Sequence, residues 1–185
     1  MSGTKIAFTG PECSGKSTMA KWLAKELSYE IVDEYAREYL KDKSAYSIDD
    51  LDMIAAEQFE RNSVDGSLVI DTEMLVMKIW SKEKYQGVSK KIIQLLKRQQ
   101  IDLYFLCKPD FNWVSDPLRE NPQDRDRLFG MYEAFLKKYG FSYCVLSGSD
   151  AERKKIIKVE PLSDIEAKHQ LQLFFFDQTK SLCYT

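Results

Sequence analysis

Short unbroken apolar runs alternate along this chain with apolar stripes at helical spacing, and each change of period marks a change of element. Lys5-Ile6-Ala7-Phe8-Thr9 reads as a buried strand, and the stripe Met19, Leu23 and Leu27 as a helix over 18–27. A short strand over 29–32 leads into a helical segment over 34–40. Ser47, with Asp50 three positions later, forms a capping-box pattern that opens a helix through Ile48, Leu51, Ala55 and Phe59. After a Gly66-Ser67 turn comes a buried strand, Leu68-Val69-Ile70-Asp71. Helical spacing resumes at Leu75, Ile79 and Trp80, then at Ile92, Leu95 and Leu96, ahead of a strand over 102–107. Leu128, Met131, Tyr132, Phe135 and Leu136 share one face of a helix that Gly140 ends, and 141–146 reads as the fifth strand. Strands alternating with helices predict an α/β fold, a five-stranded parallel sheet with helices on both faces and ligands outside the carboxyl ends of its strands.

Between the first strand and its helix stands Gly10-Pro11-Glu12-Cys13-Ser14-Gly15-Lys16-Ser17, the pattern G-x-x-x-x-G-K-[ST]. At ordinary amino-acid usage it arises by chance in fewer than about one in a hundred chains of this length. Strand, glycine loop and helix come in the order that a phosphate-binding loop (P-loop) needs. Backbone N–H groups over 10–18, through Thr18, and the positive end of the helix dipole suit a polyphosphate. Lys16 reaches the outer phosphates, and the Ser17 hydroxyl suits magnesium. ATP and Mg2+ are the expected ligands, and the fold class narrows to the P-loop NTPases.

Composition narrows the partners. The chain has 185 residues, 44% hydrophobic and 30% charged, as expected for a single soluble domain over 1–185. A formal net charge of −2 with mixed signs gives no footprint for nucleic acid. No apolar run approaches the roughly 18 residues of a membrane span, and no signal-peptide core is visible, so a cytoplasmic protein with small-molecule partners is expected. Cys13, Cys107, Cys144 and Cys183 lack the spacing of a zinc site or disulfide framework and read as free thiols.

Further candidates fall at the strand ends. Asp71 closes an apolar strand at the position from which P-loop enzymes hold magnesium. Thr72-Glu73 follows it, without the Asp-Glu pair that activates water in many motor ATPases, which favours transfer to a substrate hydroxyl. Asp33 and Glu34 emerge at the same sheet edge, where either carboxylate can deprotonate an alcohol; Glu34 and Arg37 are equally spaced for an intrahelical pair. The polar, proline-containing segment 109–127 reads as a lid, with Arg119 and Arg125 offered to the phosphoryl in flight and Arg127 to ATP. Arg153, beyond the Ser147-Gly148-Ser149-Asp150 turn, is a candidate for the adenine side. Cys107-Lys108-Pro109-Asp110 has cysteine where a guanine-reading motif requires an amide or hydroxyl. Leu173-Phe174-Phe175-Phe176, in a C-terminal extension over 161–185, is either core packing or a homo-oligomer surface.

Four segments together carry a family resemblance: G-P-E-C-S-G-K-S, V-D-E-Y-A-R at 32–37, L-V-I-D-T at 68–72 and P-D-F-N-W-V-S-D-P-L-R at 109–119. Across about residues 4–153 the chain resembles the ribosylnicotinamide kinase domain of NadR-type NAD-biosynthesis proteins. The resemblance implies a nucleoside-kinase-like fold that uses Mg-ATP to phosphorylate the 5'-hydroxyl of nicotinamide riboside. It implies Lys16 and Ser17 on ATP and magnesium, Asp71 on the metal shell or the ribose, and Glu34 or Asp33 as base. A pyridinium riboside also suits aromatic faces beside carboxylates, which Trp113, Tyr35, Asp116 and Glu34 offer, with Arg37 beside them. Residue 4 already begins the kinase strand, so neither an upstream adenylyltransferase nor a DNA-binding module is expected. The alternatives are a P-loop kinase for another nucleoside or metabolite, and a non-catalytic ATP-sensing module.

Overall fold

Five parallel strands in the order β2-β3-β1-β4-β5 form the sheet, in a computed structural model that describes residues 3–116, 119 and 122–159. They are β1 (Lys5–Thr9), β2 (Glu30–Val32), β3 (Leu68–Ile70), β4 (Leu103–Cys107) and β5 (Tyr143–Leu146). The helices between them are α1 (Lys16–Leu27), α2 (Tyr35–Tyr39), α3 (Ile48–Ser63), α4 (Met74–Tyr85), α5 (Lys90–Arg98) and α6 (Arg125–Lys138), with α7 (Asp150–Val159) after β5. The expected P-loop fold is what the chain adopts. The Leu173–Phe176 cluster lies outside the described residues.

Register follows from burial on both faces. Ile6, Ala7 and Phe8 are fully buried, so β1 cannot slip without moving apolar side chains between two filled cores. Ala7 pairs with Ile70 on one side and Tyr104 on the other. One core joins the sheet to α3, α4, α5 and α6, and the other packs α1 and α7 against the opposite face, where Phe8 and Phe105 meet at 5.1 Å. Because β1 lies between β3 and β4, chain direction diverges at its carboxyl end, and a crevice opens there. The loop after β1 fills that position.

Local signals set the helix ends. Ser47 and Asp50 complete the capping box of α3. The β3 strand ends with its apolar run at Ile70, one residue short of the expected Leu68–Asp71, leaving Asp71 just beyond it. Gly140 takes a left-handed φ of 66° after α6.

Candidate active site

Thr9 ends β1, and Gly10 turns the chain at φ 127°, with a Cβ there falling 2.6 Å from the Cys107 carbonyl. Only glycine passes so close to β4. Left-handed Cys13 (φ 52°) and Gly15 (φ 80°) then curl the backbone into a concave nest, closed by the Ser14 hydroxyl donating to the Pro11 carbonyl at 2.7 Å. Gly15 caps α1 without any side-chain bond, and no acidic residue stands in the first turn, so the helix N-terminus is open to an anion. Lys16 Nζ donates to the carbonyls of Gly10 and Pro11, at 2.9 and 2.8 Å.

Asp71 is buried, its Oδ1 has no partner, and burial pushes its carboxyl up. The Ser17 hydroxyl and the Lys16 charge pull the other way. An orphaned carboxylate oxygen beside a hydroxyl fits a hard cation that takes oxygen ligands. Glu34, at the head of α2, is also raised by burial, against the opposing pull of Arg37 and Lys16. Arg37 Nε lies 2.8 Å from Glu34, and its Nη1 lies 3.0 Å from Asp116 on the lid segment.

Described residues of the segment over 109–127 lie against the loop. Val114 exchanges contacts with the Cys13 thiol, its N–H at 3.5 Å and its carbonyl at 3.6 Å. Arg119 donates to the Val114 carbonyl at 2.7 Å, and Arg125 to the Phe111 carbonyl at 2.8 Å. Arg127 binds Glu83 and Asp124.

One cavity runs from the loop to a wall on α4 and α6, and Glu34, Arg37 and Arg119 line it with residues 10–18. Its far wall holds Val76, Trp80, Glu83 and Tyr132. None of the four was expected to be functional: Trp80 and Tyr132 read as core stripe from their helical spacing, and Val76 and Glu83 stand in no motif. The available signal was that α4 leaves the strand end carrying Asp71, which aims its first turns at the same crevice.

Other expected site residues lie elsewhere. Trp113 sits outside the cavity lining, with its ring under Arg125 at 5.9 Å. Tyr35 turns toward α3, where Arg61 lies 4.3 Å over its ring. Asp33 is exposed and paired with Lys21 at 3.4 Å. Arg153 is fully buried, and Asp110 of the guanine-like sequence accepts from Arg153 and from the Gly148 N–H.

A family model described as an AAA domain matches residues 5–153. The chain belongs to this family. It is 26% identical over 173 residues to the trifunctional NAD biosynthesis/regulator protein NadR of Salmonella typhimurium, covering 86% of this chain and 42% of that protein. NadR of Escherichia coli is 30% identical over 133 residues, 66% of this chain and 32% of that protein. The chain thus spans less than half the length of these relatives. A structure of NadR in complex with NR superposes with TM-score 0.66 at 21% identity, covering 80% of this chain and 46% of that one. Deoxyadenosine kinase from M. mycoides superposes at 0.62 with 19% identity, over 88% of this chain and 100% of that one. These comparisons bear out the P-loop fold and the expected likeness to NadR-type proteins. Among the described residues no helix is long and apolar enough to cross a membrane, and no group of three or more His, Cys, Asp or Glu residues is placed to hold a metal.

Proposed function

We propose that this protein transfers the γ-phosphoryl of Mg-ATP to the 5'-hydroxyl of nicotinamide riboside, giving nicotinamide mononucleotide and ADP in the cytoplasm. The observation that carries the reading is the shared cavity: a P-loop with Glu34 beside it, and a wall that offers the aromatic Trp80 and Tyr132 with the carboxylate of Glu83. A cationic ring gains from aromatic faces and carboxylates together, and a neutral nucleoside gains less.

In this reading the triphosphate lies in the nest of residues 10–17, and Lys16 exchanges two neutral carbonyls for charged phosphate oxygens, which bind it more strongly. Ser17 and Asp71 hold magnesium, which when bound neutralises charge on the phosphate oxygens. Glu34 takes the proton of the attacking hydroxyl as the new O–P bond forms and the bond to ADP breaks. Burial suits it to this work, because a carboxylate raised above its ordinary range is a stronger base. Asp33, held by Lys21 outside the cavity, is the lesser candidate. Arg119 stands on the cavity wall, where its charge meets the transferred group, and Arg125 braces the lid against the Cys13 carbonyl at 3.4 Å. Arg37 and Asp116 join the acceptor side to the lid.

The test is a product assay with Mg-ATP and a panel of nicotinamide riboside, cytidine, deoxyadenosine and no acceptor. Nicotinamide mononucleotide formed well ahead of the other products supports the reading. Transfer only to a neutral nucleoside replaces the acceptor and keeps the kinase; no transfer to any of them rejects the reading for these acceptors.

A further inference from the structure

Arg153 carries a charge into the protein with no exposed surface, which is tolerable only where its donors are met. They are met by three separate loops. Nε donates to the Gly148 carbonyl at 2.9 Å, Nη1 to the Ser14 carbonyl, and Nη2 to the Lys108 carbonyl at 2.7 Å and to Asp110 Oδ2 at 3.2 Å. The guanidinium also lies 4.5 Å over the Phe111 ring.

The Ser14 contact has a geometric consequence. The Ser14 carbonyl and the Gly15 N–H belong to one peptide plane, and in a trans peptide they point in opposite directions. Drawing the carbonyl down onto Arg153 therefore turns the Gly15 N–H to the other side of the loop, the concave side that receives phosphate. A Cβ on Gly15 would fall 2.7 Å from Phe111 Cε2 and 3.4 Å from Arg153 Nη1, so ring and cation brace this peptide closely. Arg153 lies 139 residues from Ser14 in sequence, and α7 is thereby tied to the loop.

We propose that Arg153 is a positioning residue for polyphosphate binding: it fixes the Ser14–Gly15 peptide with its N–H toward the phosphates and itself touches no ligand atom. The inference rests on the loop being a polyphosphate site, and it replaces direct contact with ATP as the role of this arginine.

The experiment compares wild type and Arg153→Lys for binding of inorganic tripolyphosphate by calorimetry and of adenosine by saturation-transfer NMR. Lysine keeps the charge but lacks the fork that spans Ser14, Lys108 and Gly148. Tripolyphosphate affinity falls about tenfold, the worth of one charge-assisted hydrogen bond, with adenosine affinity unchanged. A loss confined to adenosine, an equal loss of both, or no loss overturns the proposal. If Arg153→Lys shows no cooperative melt, Asp110→Asn carries the test by removing the charge that anchors Arg153. The same one-sided loss, about threefold, is then expected, and unchanged tripolyphosphate affinity overturns the proposal. A wild-type chain that binds no tripolyphosphate overturns the reading of the loop as well; wild-type binding matched by both variants overturns the proposal alone.

Discussion

Arg37 holds Glu34 one helical turn away, Nε to Oε2 at 2.8 Å, and its charge opposes the upward push that desolvation gives this partly buried carboxylate at the cavity. The same guanidinium reaches Asp116, which joins the carboxylate to the lid. One side chain therefore links Glu34 to the segment that carries Asp116.

Glu34→Gln is expected to lower kcat by about a hundredfold or more while ATP affinity stays within about twofold, and Asp33→Asn to change either by no more than a few fold. The pH profile supplies the sign. A base works unprotonated, and burial raises Glu34, so kcat/KM for the acceptor holds at high pH and falls as pH drops through a value above the ordinary glutamate range of about 4.3. Steady-state rates across pH check both. A full-rate Glu34→Gln variant would remove the residue from the chemistry.

Asp71→Asn should separate stability from activity. Burial holds the folded pKa of Asp71 above its unfolded value, so its stability contribution is fully present below the unfolded pKa and declines as pH rises toward the folded one. The free Asn variant should therefore melt at a higher temperature than the parent at pH 7, with the gap closing below about pH 4. Transfer should be lost, along with the extra stabilisation that Mg-ATP gives the parent. Thermal melts with and without Mg-ATP measure this; a lower Tm for the free variant counts against the orphaned carboxylate.

The glycine loop and the strands around it were legible because their causes are local. Gly10 and Gly15 are spaced by the loop itself, and strands buried on both faces appear as unbroken apolar runs such as Ile6-Ala7-Phe8. The acceptor wall was less legible. Periodicity places Trp80 and Tyr132 on apolar helix faces, but whether such a face meets core or cavity depends on how α4 and α6 pack. Trp113 is the converse case: a tryptophan in a polar segment suggests a stacking platform, and here the ring lies outside the cavity lining beneath Arg125. Arg153 was legible as a candidate beside the Ser147-Gly148-Ser149-Asp150 turn, but its tie to Ser14 and Lys108 had no local pattern, since those acceptors lie on loops far apart in sequence.

Trp80→Ala is expected to raise the acceptor KM at least about tenfold with KM for ATP nearly unchanged, because its ring lines the cavity beyond the loop. Trp113→Ala should act weakly and without selectivity, through the lid. Initial-rate kinetics in both substrates distinguish the two. An acceptor effect at Trp113 larger than at Trp80 would return the stacking role to the lid.

Glu73 joins the ends of β1 and β3. It is fully buried and raised by burial; Oε1 accepts from the Thr9 hydroxyl at 2.8 Å, and Oε2 from the Leu75 N–H at 2.6 Å and Gln99 Nε2 at 3.0 Å. Thr9 precedes Gly10, and Glu73 lies two residues past Asp71, so the carboxyl ties the root of the P-loop to the strand end carrying Asp71. Glu73→Ala strands those buried donors, at about 1–3 kcal/mol each, and should cost about 3 kcal/mol or more in urea unfolding. Glu73→Gln keeps an oxygen for Leu75 and Gln99 and offers its amide to the Thr9 oxygen, so its loss should stay under about 1.5 kcal/mol. The Ala variant, where it folds, should also bind ATP more weakly, because the loop is released at its root. Equal stability of the Ala variant and the parent would show that this network does not join the strands.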